Sequence, residues 1–256
     1  MDPATLIGFV ISLIALVVFM VLEGADPTSL IFLPAIILVV IATFGAAMAS
    51  QTMADLKKMP TWFKMALVPA KVPPATEQIQ TLVSLAEKAR KEGLLALEAQ
   101  VKSIDDPFLK RGLQMGIDGT DPEDLRSILE GEISAKKTED KVAAKFMNNM
   151  GGYAPTIGIL GCIVGLMNVM GSLSNPEALG PMVSAAFIAT LWGVMAANFW
   201  FLPMGAKILR VSALQAAQME LLVEGIAEIQ AGTSPRTVRA KLTSLVPPSE
   251  QQREAA

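Results

Sequence analysis

Apolar residues in this chain run in long uncharged blocks. No Asp, Glu, Lys or Arg falls between Asp2 and Glu23, Asp26 and Asp55, Lys145 and Glu177, or Glu177 and Lys207. The uncharged runs are therefore 20, 28, 31 and 29 residues long. A helix needs roughly 20 predominantly apolar residues to cross a hydrocarbon layer about 30 Å thick. All four runs are long enough, and the predicted spans are residues 5–22, 30–49, 155–173 and 182–202. Glu23-Gly24-Ala25-Asp26-Pro27 joins the first two and Ser174-Asn175-Pro176-Glu177 the last two, so each pair forms a tight hairpin.

Between and after the hairpins the pattern becomes that of amphipathic helices. Pro73-Pro74 opens a helix that carries Ile79, Leu82, Val83, Leu85 and Ala86 on one face. It is predicted to reach Ile104, where Asp105-Asp106-Pro107 breaks it, and a short helix follows over residues 107–117. Asp121-Pro122-Glu123-Asp124 is a strong start signal: an Asp cap, Pro in the first turn and acids at the positive end of the helix dipole. The helix begun there is predicted to run through Lys145 towards the third span. Residues 207–231 read as one more long helix, stopped by Gly232 and Pro235, and residues 247–256 read as disordered. No strand is predicted. The expected fold class is all-α: a polytopic membrane protein with four transmembrane helices and a helical cytoplasmic domain. Its expected parts are a first hairpin (1–50), a cytoplasmic helical domain (51–150), a second hairpin (151–204) and a cytoplasmic helical tail with a disordered end (205–256).

Charge sets the orientation. Of the 21 basic residues, 15 lie from Lys57 to Lys145 and 6 from Lys207 onward, while the two hairpin turns carry only acids. The positive-inside rule then places both termini and the large loop in the cytoplasm. The first apolar run has no basic region before it and is expected to persist as a helix. With 52% apolar and 18% charged residues, the composition suits a membrane protein. A net charge of −3 gives no sign of nucleic-acid binding, and the absence of histidine excludes imidazole triads and imidazole metal sites. No cofactor is expected.

The spans hold no ionisable side chain apart from the thiol of Cys162. Either the protein moves no ions, or the titratable group arrives on another chain. Gly158, Gly161 and Gly165 share one face of the third span, which suits packing within the hairpin or against a neighbouring subunit. Thr190 sits near the middle of the fourth span, where its hydroxyl is free to bond back to the carbonyl of Ala186. Cys162 lies at similar depth, where a buried inert thiol is the default. Pro155 opens the third span and Pro203 closes the fourth, so both either mark helix ends or form a hinge. Arg90 belongs to a dense charged stretch with Glu87, Lys88, Lys91 and Glu92, and such faces are ordinarily solvated. Glu220, Glu224 and Glu228 place like charges on one helix face and read as solvated and mildly destabilising.

This layout resembles the MotA/PomA branch of the MotA/TolQ/ExbB proton channel family, the flagellar motor stators. The resemblance rests on Glu23-Gly24 with Pro27 and Ser29-Leu30, on the stretch from Arg90 to Glu98, on Tyr153-Ala154-Pro155-Thr156-Ile157-Gly158, and on Ala189-Thr190-Leu191-Trp192-Gly193. One departure is Val40-Ile41-Ala42-Thr43-Phe44-Gly45, where the family usually has two glycines before the threonine. The resemblance implies a multi-pass bacterial inner-membrane protein forming a homopentamer around two copies of a single-span, peptidoglycan-binding MotB-type partner. That partner would bring the missing aspartate. It further implies that Thr190 and Cys162 line the ion path, that Pro155 and Pro203 couple it to the cytoplasmic part, and that Arg90 and Glu98 face the rotor protein FliG. Sodium-driven members generally carry a second threonine where Cys162 stands, and sulfur is a poor ligand for a hard cation, so protons are favoured over sodium.

Three other readings remain. A proton-channel subunit of the ExbB or TolQ type has one span before its large loop, against two here. A non-conducting membrane scaffold would need no partner aspartate. An enzyme using Cys162 as nucleophile would need a thiolate deep in an apolar span without a histidine beside it.

Overall fold

The uncharged runs fold as helices because in hydrocarbon a backbone N–H or C=O finds its partner only within its own helix. The computed structural model describes residues 2–70, 72–248 and 251, and these contain no strand. Helix α1 is Pro3–Leu22, capped by the Asp2 carboxylate, which accepts from the Ala4 N–H at 2.9 Å. Gly24 turns the chain at φ +79°, and Asp26 caps the following turn. Helix α2 is Leu33–Ala49 and contains a π-helical turn over Leu38–Ala42. Short helices α3 (Met53–Leu56) and α4 (Met59–Leu67) follow, then α5 (Ala75–Glu92), α6 (Glu98–Lys102) and α7 (Pro107–Ile117). Helix α8 runs without a break from Pro122 to Gly171, and α9 from Pro176 to Gln230 with a π-helical turn over Ala196–Phe201. Helix α10 is Pro235–Leu245. Among the described residues, three helices, α1, α8 and α9, are long and apolar enough to cross a membrane; α2 is shorter, at the lower end of the spanning range.

Several expectations need correction. The helix predicted to reach Ile104 stops at Glu92, because Gly93 adopts φ +85° and ends it. Pro155 and Pro203 do not mark helix ends: both lie inside continuous helical runs. Pro235 starts a helix as well as ending the previous one, since Ser234 caps it and proline suits a first turn. The disordered end expected over residues 247–256 lies largely outside the described residues.

Two compact units make up the chain. The first comprises Met1–Ala70 and Asp140–Arg210, the second Lys71–Glu139 and Val211–Ala256. In the first, α8 and α9 approach closely through small residues. A Cβ on Gly193 would stand 2.5 Å from the carbonyl oxygen of Ala154, and one on Gly158 would stand 2.8 Å from that of Ala189. The glycine face of the third span therefore packs within its own hairpin. Towards the charged end of this unit, Phe146 is ringed by Trp62, Phe44 and Phe63, at 5.4, 6.2 and 6.4 Å between ring centroids. The second unit has an ordinary aliphatic core, with Leu82, Leu97, Leu125, Leu129, Leu222 and Leu242 almost wholly buried.

Candidate functional site

The middle of the α8–α9 hairpin holds the two side chains expected to line an ion path. A Cβ on Gly161 would stand 2.9 Å from the Cβ of Ala189, which sets Cys162 and Thr190, each the next residue, at matching depth. Both are half-buried. The Thr190 hydroxyl donates across the hairpin to the carbonyl of Gly158, at 3.4 Å, instead of back to Ala186. That long bond leaves the hydroxyl weakly held and able to turn to another acceptor.

Roughly two to three turns further towards the charged ends of the helices, the two prolines are brought together through their neighbours. Pro155 lacks the N–H that would bond to the carbonyl of Gly151, and a Cβ on Gly151 would collide with the side chain of Leu202, which precedes Pro203. The π-helical turn over Ala196–Phe201 lies directly before Pro203 and widens the helix where the proline ring would otherwise strike the carbonyl of Phe199. A widened turn and two missing helical bonds thus meet in one layer of the hairpin.

Two features of this unit had no signal in the sequence. The indole N–H of Trp192 donates to the carbonyl of Leu30 at 2.8 Å, tying the fourth span to the start of the second. Thr43 is fully buried after the π-helical turn of α2, and its hydroxyl has no hydrogen-bond partner.

In the second unit, Arg90 lies exposed in the last turn of α5 and Glu98 exposed at the start of α6, with the Gly93 turn between them. Glu98 pairs with Lys102 at 3.1 Å on its own helix, an exposed pair worth about 0–1 kcal/mol. The acidic row of α9 is not simply solvated, contrary to expectation. Glu220 meets Lys137 at 2.7 Å, Glu224 meets Arg126 at 2.6 Å, and Glu228 meets Lys241. Burial works to raise the pKa of Glu228. Hydrogen bonds from Lys241 and Thr233, with the charges of Lys241 and Arg126, outweigh it and hold the carboxyl below its ordinary value. Among the described residues, no cluster of three or more Cys, Asp or Glu is arranged to hold a metal ion.

Residues 100–221 match the MotA/TolQ/ExbB proton channel family, a stretch that contains Pro155, Cys162, Thr190 and Pro203 but not Arg90 or Glu98. Motility protein A of Bacillus subtilis is 34% identical over 98% of this chain and 93% of its own length. The chain belongs to this family. Motility protein A of Helicobacter pylori is likewise 34% identical, over 99% of this chain and 98% of its own. Among solved MotA-family structures, the flagellar MotAB stator complex from B. subtilis aligns with a TM-score of 0.92 at 33% identity, covering 98% of both chains. The C. jejuni MotAB structure aligns with a TM-score of 0.93 at 29% identity, covering 97% of both. As a MotA-family member with apolar helices of spanning length, the protein resides in the inner membrane.

Proposed function

We propose that this chain is the stator subunit that couples transmembrane proton flow to torque in a bacterial flagellar motor. The observation that carries this reading is the near end-to-end match to motility protein A. The uncharged runs contain no carboxylate, so the ion acceptor comes from another chain. A MotB-type partner, of the kind named in the solved MotAB stator complex, supplies it, and this chain forms a pentameric ring around two such partners. Thr190 and Cys162 face the ion path. A thiol in place of a second hydroxyl leaves fewer hard oxygen ligands, which favours protons over sodium.

Loading and unloading the partner carboxylate changes the charge beside the hairpin. The layer formed by Pro155, Pro203 and the π-helical turn is where α8 and α9 yield to that change, because helical bonds are already missing there. Of the three places where the chain passes between the compact units, two lie within α8 and α9, so movement of these helices is carried on by unbroken backbone. In the second unit Arg90 and Glu98 meet charges on the rotor protein FliG, where exposed charges contribute steering and specificity more than affinity. Both termini and the large loop are cytoplasmic, following the basic residues. The subunit transmits ions and force and is not an enzyme.

The test is complementation. Expressed with its MotB-type partner in a strain lacking its own motility protein A, the chain should restore swimming. A cysteine replacing Ala25 should be labelled from outside intact cells, and one replacing Ser127 only after lysis. No restored swimming despite normal membrane levels of both chains would contradict the function, and labelling at 127 in intact cells would contradict the orientation.

A further inference from the structure

The first and last membrane helices are joined at one end by an ion pair that the ion path does not use. Asp2 directly precedes and caps α1, and Lys207 is the first charge after the fourth uncharged run. The Lys207 ammonium stands 3.0 Å from the Asp2 carboxylate, and the two side chains are only 20% and 23% exposed. Lys207 also donates to the Thr5 hydroxyl. The same Asp2 carboxylate accepts from the Ala4 and Thr5 N–H groups, and the Asp2 backbone N–H donates to the carbonyl of Leu67 at 2.8 Å. Four segments therefore meet at one point: the chain start, the first turn of α1, the end of α4, and α9 one turn beyond Pro203. Helix α1 also packs along the π-helical turn over Ala196–Phe201. Ile208, next to Lys207, is fully buried, so the helix is packed beside that charge.

We infer that Asp2 and Lys207 form a pin that holds the fourth span against the first just beyond the Pro203 layer. The inference rests on the stator reading above. A helix with a π-helical turn and an internal proline has a soft segment, and movement imposed on one side of it is passed on only if the other side keeps a defined bearing. The Asp2–Lys207 pair supplies that bearing. Without it the stretch of α9 at Lys207 slides along α1, and ion movement proceeds while torque is lost. Asp2 and Lys207 are thus positioning residues for coupling, not members of the ion path.

The experiment uses the full chain with its MotB-type partner. Asp2→Asn keeps an oxygen to cap α1 but removes the charge; Lys207→Met keeps the length of the side chain but removes its charge. Each is compared with the parental chain, the double variant and the charge-preserving Lys207→Arg. Swimming speed, membrane level and proton flux of the complex in vesicles are all measured. Each single charge removal is expected to lower speed by about half or more at parental membrane level, with proton flux per complex unchanged. The double variant should be no worse than the worse single one, since the two charges act as one unit, and Lys207→Arg should keep most of the speed. Parental speed in both single variants would overturn the pin. So would losses that simply follow membrane level, flux falling in step with speed, or additive losses in the double variant. A parental chain that neither restores swimming nor conducts with its partner overturns the stator reading and the pin with it.

Discussion

The two compact units are built by opposite means. In the unit that contains the hairpins, large side chains such as Ile7, Ile11, Val164 and Met167 are exposed, while Gly158, Gly193, Ala154 and Ala189 make the closest helix contacts. In the other unit leucines are buried and the surface is laced with ion pairs between helices. The difference follows from the solvent. Lipid offers no hydrophobic drive between apolar helices, so contact there depends on backbones approaching closely enough for dispersion and local hydrogen bonds. Water provides that drive at about 25 cal/mol for each Å² of apolar surface buried, and it also screens the charges outside.

The sharpest way to break this comparison is to add one methyl group at a small-residue contact. In Gly193→Ala the new Cβ meets backbone 2.5 Å away, where no rotamer change brings relief. Overpacking of this kind costs about 1–3 kcal/mol. The variant should show reduced membrane levels and little or no swimming, whereas Val164→Leu on the exposed face should match the parental chain on both measures.

A smaller effect is expected from the buried end of the ion-pair row. The Glu228 pKa is lowered in the folded protein, so its contribution is present above the ordinary carboxyl value of 4.5 and is lost as pH falls through the lower folded-state value. Melting temperature of the purified chain should fall on acidification through that window, and Glu228→Gln should lower stability near neutrality while flattening that part of the pH profile. An unchanged profile would show that Lys241 stabilises the ionised carboxylate too little to matter.

The smallest effect on stability belongs to Arg90 and Glu98. Reversing both, as Arg90→Glu with Glu98→Lys, should change the melting temperature little, because exposed pairs contribute about 0–1 kcal/mol. Torque should drop nonetheless, and matched reversals on the rotor should restore part of it. Normal motility in the double variant would leave these residues as ordinary solvated charges.

How legible each unit was in the sequence follows the same contrast. Gaps between charges marked the membrane helices, because a charge in hydrocarbon is too costly to be scattered at random. Of the two readings open for Pro155 and Pro203, helix ends or a hinge, the first fails, because in a packed hairpin neighbouring helices and a π-helical turn absorb the missing bonds. In the other unit the helix start at Asp121-Pro122 and the short helix Pro107–Ile117 were plain from caps and breakers. The partners of Glu220 and Glu224 were not: Lys137 and Arg126 lie some eighty to a hundred residues away in the chain, and local spacing carries no trace of them. Thr43 was invisible for the same reason, since only the packed structure shows its hydroxyl closed off. Of the site residues, Thr190 and Cys162 were placed by depth in their spans, but the bond from Thr190 to Gly158 needed the hairpin itself.

In the proposed stator, this chain shapes an ion path whose titratable group belongs to another protein. Proton flux into vesicles containing the purified chain alone, the chain with its MotB-type partner, and the chain with a partner whose membrane carboxylate is changed to the amide tests it directly. Flux should appear only with the unmodified partner and should not need sodium. Flux through this chain alone, or undiminished flux with the amide partner, would contradict the account.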